Sequence, residues 1–152
     1  GATLTASGSV YGSRERITPY LKNSTSVTQS MSVSANKSIG WSIDASLSGG
    51  YKTAFNAAVG ASWQNTATIS CELTVNVAPK KRTWLEFSPR YRYVRGKAQK
   101  YYVTRGPIKT TVVEESKAVY SKSPKKIKVN INGKTTDGPD GIYIWKEDNK
   151  YK

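Results

Sequence analysis

The chain has 152 residues, with 24 Lys and Arg against 10 Asp and Glu, for a formal net charge of +14. It contains no histidine, which removes His-ligated metals, Ser-His triads and Cys-His dyads. Its one cysteine, Cys71, cannot close an internal disulfide or build a Cys-based zinc site, and no window approaches the roughly 20 apolar residues of a membrane helix. The length suits one domain, 1–152. No basic stretch followed by an apolar one opens the sequence, so no signal peptide is expected within it. Ser, Thr, Asn, Gly and Tyr are abundant, Leu is scarce, and runs of helical period are missing. This composition predicts an all-β chain, an elongated antiparallel sheet or sandwich.

The strongest pattern runs over 25–77. Of 27 odd positions 21 are apolar, whereas of 26 even positions only Ala54 and Ala58 are. The overall apolar content would place about ten in each set. Side chains at i, i+2 and i+4 share one face of a strand, so the segment is amphipathic as β and its parity never slips. Ser48-Gly49-Gly50 is the expected turn. Keeping odd opposite odd requires a loop with an odd number of residues. A three-residue loop with Gly50 left-handed places Leu47 against Tyr51, Ile43 against Phe55, Trp41 against Ala57 and Ala35 against Trp63. The even face is built from Ser, Thr and Asn with few charges. Such a lining suits a hydrated pore lumen, and equally the wet face of a soluble β-sandwich.

Charge concentrates in the next block. Residues 79–109 carry ten bases and one acid, whereas 1–78 carry five and three. Arg90 and Arg92 alternate with Tyr91 and Tyr93, so on a strand the guanidiniums take one face and the rings the other. Lys80, Lys81, Arg82, Arg90, Arg92, Arg95, Lys97 and Lys100 are the expected contacts to an anionic surface: lipid headgroups, wall polymers or nucleic acid. No RRM, OB or KH motif is legible, and strict alternation separates stacking rings from phosphate-binding arginines, so nucleic acid is the weaker partner. A solvated basic edge that blocks sheet-to-sheet aggregation is the plainer alternative.

In the last part, 110–152, strands are expected over 109–113, 126–131 and 142–145. Glu114-Glu115-Ser116-Lys117 reads as a turn or short helical piece, Asn132-Gly133 as a type I′ turn, and 137–141 as a loop. Asp137 and Asp140 lack the further oxygen ligands of a calcium loop, and an Asx turn explains them. No metal or cofactor is expected. The ten carboxylates form no pattern diagnostic of acid–base work, and Cys71 lies on the apolar parity as an inert buried thiol, so no enzyme is expected.

Leu21-Lys22-Asn23-Ser24-Thr25-Ser26-Val27-Thr28-Gln29 leads into the Ser/Thr alternation, Ile39-Gly40-Trp41-Ser42-Ile43 follows, and the second arm closes with Leu73-Thr74-Val75-Asn76-Val77-Ala78-Pro79-Lys80. With Trp84-Leu85-Glu86-Phe87 and Gly96 beyond, residues 20–105 resemble the aerolysin-like β-pore-forming toxins, in particular the epsilon-toxin and mosquitocidal-toxin branch. The sequence departs from that pattern in placing Lys80-Lys81-Arg82 after Pro79, where the family has Gly, and in leaving no room for a separate receptor-binding domain.

The resemblance implies a minimal, secreted member in which 30–72 is the membrane-inserting hairpin. Ile39, Trp41, Ile43, Ala45, Leu47, Tyr51, Phe55, Ala57 and Val59 would face lipid, turning at Gly49 and Gly50. The expected function is adsorption to membrane lipid or another anionic cell surface, homo-oligomerisation and insertion of a β-barrel, with no small-molecule substrate. The alternatives are a soluble β-sandwich module for an anionic cell-wall polymer or glycan, and nucleic-acid binding.

Overall fold

The computed structural model describes residues 2–40, 42–43, 66–104, 106 and 110–152. Among them run eleven strands: β1 (Ala2–Tyr11), β2 (Glu15–Arg16), β3 (Leu21–Asn23), β4 (Gln29–Gly40), β5 (Ser42–Ile43), β6 (Thr66–Val77), β7 (Lys81–Thr104), β8 (Thr110–Pro124), β9 (Lys126–Ile131), β10 (Lys134–Pro139) and β11 (Gly141–Asp148). Every pairing is antiparallel, so the fold is all-β as the composition predicts.

The 24-residue β7 is the spine. At ~3.3 Å per residue it extends on the order of 75 Å. The N-terminal chain follows one edge of it, with β1 opposite 90–98, β2 opposite 86–87 and β3 opposite 81–83. The other edge pairs with β8 over 91–104 and with β11 over 82–89. The partners change beside Pro89. Proline has no N–H to give to a ladder and is tolerated where pairing is interrupted. The gap is closed by backbone bonds from Gly12 N to Pro89 O at 2.7 Å, Arg90 N to Asp140 O at 2.9 Å and Asp140 N to Lys125 O at 2.7 Å. β11 enters here on Gly141, where a Cβ would stand 2.3 Å from the Ser88 carbonyl oxygen, so only glycine allows the approach.

The second layer is the ribbon β4–β6. Its odd residues Val33, Ala35, Ile39, Ile69, Leu73 and Val77 pack with Leu85 and Phe87 of β7, Ile17 and Leu21 of the N-terminal edge, and Val129 and Ile131 of β9. The ribbon keeps its parity throughout the described pairs, as the alternation predicts. Its register differs from the expected one. Ala35 faces Cys71, eight residues beyond Trp63, and Ile39 faces Ala67. An even-numbered slide leaves every side chain on its own face, so the hydrophobic pattern cannot tell these registers apart. Ile43 lies opposite Ser121 of β8. The pairings assigned to Phe55, Ala57 and Tyr51 lie outside the described residues, as do Trp41, Ala45, Leu47, Gly49, Gly50 and Val59.

Two local expectations are corrected. Residues 114–117 continue β8 as strand, and Glu114 is the extra residue of a β-bulge, since Lys100 faces Glu115 and Tyr101 faces Val113. Their polarity suggests a turn, but β7 holds them in a ladder. Residues 137–139 end β10, with Asp137 opposite Lys128 and ion-paired to Lys126 and Lys128, so the segment is neither an open loop nor an Asx turn. The Asn132-Gly133 turn matches type I′, both residues having positive φ (50° and 81°).

Asn23 joins the layers. Its buried amide donates to Val27 O (2.8 Å) and Val77 O (2.9 Å), while its Oδ1 accepts from Thr25 N (2.9 Å) and Thr25 Oγ1 (2.6 Å). One side chain thus pins the start of β4 to the end of β6. Asn23→Ala removes the amide donor to Val77 O and one of the two donors to Val27 O, which Thr25 Oγ1 still bonds, and should cost about 2 kcal/mol in urea unfolding, against under about 0.5 kcal/mol for the exposed Ser26→Ala.

Candidate functional site

Two surfaces stand out. The first is the outer face of the ribbon. On β4 and β6 every even residue is exposed and every odd one is buried or half-buried. Three successive even pairs are bonded across the strands. Ser34 donates to the Glu72 carboxylate, Ser70 Oγ donates to Asn36 Oδ1 at 2.9 Å, and Ser38 and Thr68 hydroxyls meet at 2.8 Å. Short side chains opposite one another satisfy their hydrogen bonds within the face and leave it flat and nearly uncharged. The charge on the inner parity is Lys37, half-buried between Ala35 and Ile39, and Glu15 of β2 neutralises it. Cys71 is free and half-buried on that parity, and burial pushes its thiol up. The described residues contain no cluster able to hold a metal ion.

The second surface is the outer side of the lower sheet. Glu15 and Arg16 face Phe87 and Glu86, whereas Leu21 faces Thr83, so five steps on the N-terminal edge match three on β7. The two surplus residues fall around Pro19 and Tyr20. Ile17 N bonds Leu85 O (2.9 Å) and Leu85 N bonds Thr18 Oγ1 (3.0 Å), which anchors the excursion and turns Tyr20 outward, 40% exposed. The Tyr20 ring meets Trp84 edge-on at 5.2 Å. The Arg16 and Arg82 guanidinium carbons lie 4.1 and 3.8 Å from its centroid. Two cations that close to one ring avoid collision only on opposite faces. Arg82 is forked on Asp148, with Nε–Oδ1 at 3.0 Å and Nη2–Oδ2 at 2.6 Å. Trp84 Nε1 donates to Glu86 Oε2 at 2.7 Å.

The expected anion-binding residues are not gathered into one patch. Lys80, at φ 57°, donates to Ser24 O (2.5 Å), and Lys81 donates to Asn149 Oδ1 (2.5 Å). Arg82 is committed to Asp148, and Arg90 is exposed, 3.9 Å from Asp140. Arg92 is half-buried, and the exposed Arg95 sits over the rings of Tyr93 (5.9 Å) and Tyr120 (5.4 Å). Lys97 and Lys100 belong to the upper part of β7, opposite Ala118 and Glu115. From 80 to 100 the chain covers on the order of 65 Å, and alternation sends successive residues to opposite faces.

The Arg16–Tyr20 pair was missed by sequence reasoning. The segment 14–20 shows no periodicity, and Arg16 reaches Arg82 only through strand pairing. Pro19 next to an aromatic is the one local sign of a bulged excursion.

Arg82 holds the Asp148 carboxyl below its ordinary range, chiefly through the forked hydrogen bond, and backbone N–H of Lys150 adds to this. A carboxylate with a depressed folded pKa stabilises above its unfolded value and loses that contribution as pH falls through the folded one. Thermal melts should therefore show Asp148→Asn less stable than the unaltered chain at neutral pH, with the gap closing as pH falls below the carboxylate range. A gap constant with pH contradicts this.

No protein-family model matches the chain, and neither do the curated proteins or the solved structures.

Proposed function

We propose that this is a β-pore-forming protein that adsorbs to an anionic cell surface, oligomerises and inserts the 30–72 hairpin as part of a transmembrane barrel. The observation that carries the reading is the two-faced ribbon: one face apolar but for Gln29 at its start and Lys37, the other hydroxyl-lined and bonded to itself. In lipid every backbone group must be paired, which a closed barrel achieves and an open ribbon does not.

Insertion is an exchange of apolar surroundings. Ile39, Ala67 and Ile69, buried against protein, would face acyl chains, at little cost in apolar transfer. Lys37 marks one end of the lipid-facing stretch, because a lysine stem snorkels to the interface when its charge is not deep in the bilayer. Exposed cations along β7 supply the surface attraction, each contributing about 1 kcal/mol near anionic lipid.

Dye release from vesicles tests the reading. Micromolar protein should empty vesicles that contain anionic lipid, more weakly as salt rises. No release from anionic or neutral vesicles overturns it. In planar bilayers Ser38→Lys, on the lumen face, should move ion selectivity toward anions relative to the unaltered chain; unchanged selectivity places Ser38 outside the lumen.

A further inference from the structure

The guanidinium of Arg16 is held in place yet left uncompensated. It is exposed, stacks on Tyr20 at 4.1 Å, and Nη1 donates to Thr18 O at 2.6 Å. Its cross-strand neighbour is Glu86, whose carboxylate is instead engaged with Trp84 Nε1. Among the described residues no carboxylate forms an ion pair with Arg16, whereas Arg82 on the other side of the ring is neutralised by Asp148. The arginine fork is thus oriented by the ring and the Thr18 carbonyl and keeps N–H groups for a planar oxyanion.

Around the fork lie groups of a second kind. Glu86 and Asp148 place carboxylate acceptors on the same face, fixed by Trp84 and Arg82, and Trp84 adds a half-exposed ring. Lys22 and Lys146 flank Arg82 and Trp84 in the neighbouring strands. A ligand that fits must carry one acidic group for Arg16 and several neutral hydroxyl donors for the carboxylates. A bilayer surface presents many phosphates at once, which Glu86 and Asp148 repel, and hydroxyl-bearing headgroups are separated by the vesicle arm of the test. Guanidiniums on both faces of Tyr20 deny that ring to a nucleic-acid base, and a base stacked on the half-exposed Trp84 is separated by the oligonucleotide arm of the test.

We propose that the Arg16–Tyr20–Arg82–Trp84 face is a binding site for a glycan that carries a carboxylate. Arg16 takes the carboxylate through two N–H groups, and Glu86 and Asp148 accept from ring hydroxyls. The proposal concerns the surface-recognition part of the pore-forming reading. It rests on that reading only for its setting, because binding is measured on the soluble chain.

The test is titration of the full chain by calorimetry and by tryptophan fluorescence with sialyllactose, a hyaluronan tetrasaccharide and a trigalacturonate, with lactose as the neutral control. At least one acidic sugar should bind, and lactose at least tenfold more weakly. Arg16→Gln should weaken that binding at least tenfold, and Arg16→Lys several-fold, since an ammonium lacks the fork. Lys134→Gln, exposed on β10, removes the same charge elsewhere and should leave it unchanged. No binding across the panel, equal losses in Arg16→Gln and Lys134→Gln, or tighter binding to an oligonucleotide or anionic vesicle that is equally sensitive to Arg16→Gln overturns the proposal. Dye release from anionic vesicles by Arg16→Gln should match that by Lys134→Gln, which has lost the same charge, so failure of the sugar site and failure of membrane insertion are read separately.

Discussion

The constraint on which the structure rests is the two-residue period of the extended chain. A strand sends alternate side chains to opposite faces, so a ribbon with all its apolar residues at one parity must cover that face with something dry. In β4–β6 the cover is protein: β7, β9 and the N-terminal edge close over Val33, Ala35, Ile39, Ile69, Leu73 and Val77. The same face also suits lipid, and the pore-forming proposal grows from this interchangeability. The opposite face needs no cover, because its hydroxyls and amides bond to one another.

The spine strand answers a related constraint. A long strand exposes two long rows of backbone donors and acceptors, and unpaired edges invite aggregation. β7 has both edges occupied by relays of shorter strands, β1, β2 and β3 on one side and β8 and β11 on the other. The changeover falls at Pro89, where a ladder bond is missing in any case, and Asp140 bridges the gap through its backbone. Asn23 then ties the ribbon to this sheet by satisfying the strand ends that the ladder leaves open.

Electrostatics follow from the same geometry. A run of bases that looks like one patch in sequence is dealt out along β7 and across its two faces. Several are engaged by local partners, Arg82 by Asp148, Lys81 by Asn149 and Arg95 by tyrosine rings, whereas Arg90 stays exposed. Arg16, outside that run, is stacked on Tyr20 and bonded to Thr18 O, with no ion pair to a described carboxylate. It owes its position to a two-residue mismatch between the N-terminal edge and β7 that thrusts Tyr20 outward.

The sequence by itself determined the all-β class, the parity of the ribbon over its described arms, the Asn132-Gly133 turn and the last strands, because each rests on local periodicity or on a turn residue with one favoured backbone. Only the tertiary structure decided the ribbon's register, since even-numbered slides are equivalent in hydrophobic pattern. It also decided that 114–117 stay extended, because pairing with β7 overrides their polarity. The Arg16–Tyr20–Arg82–Trp84 face was likewise invisible in the sequence. Its members come from segments far apart in the chain, and strand pairing, which no local pattern encodes, brings them to one side of one sheet.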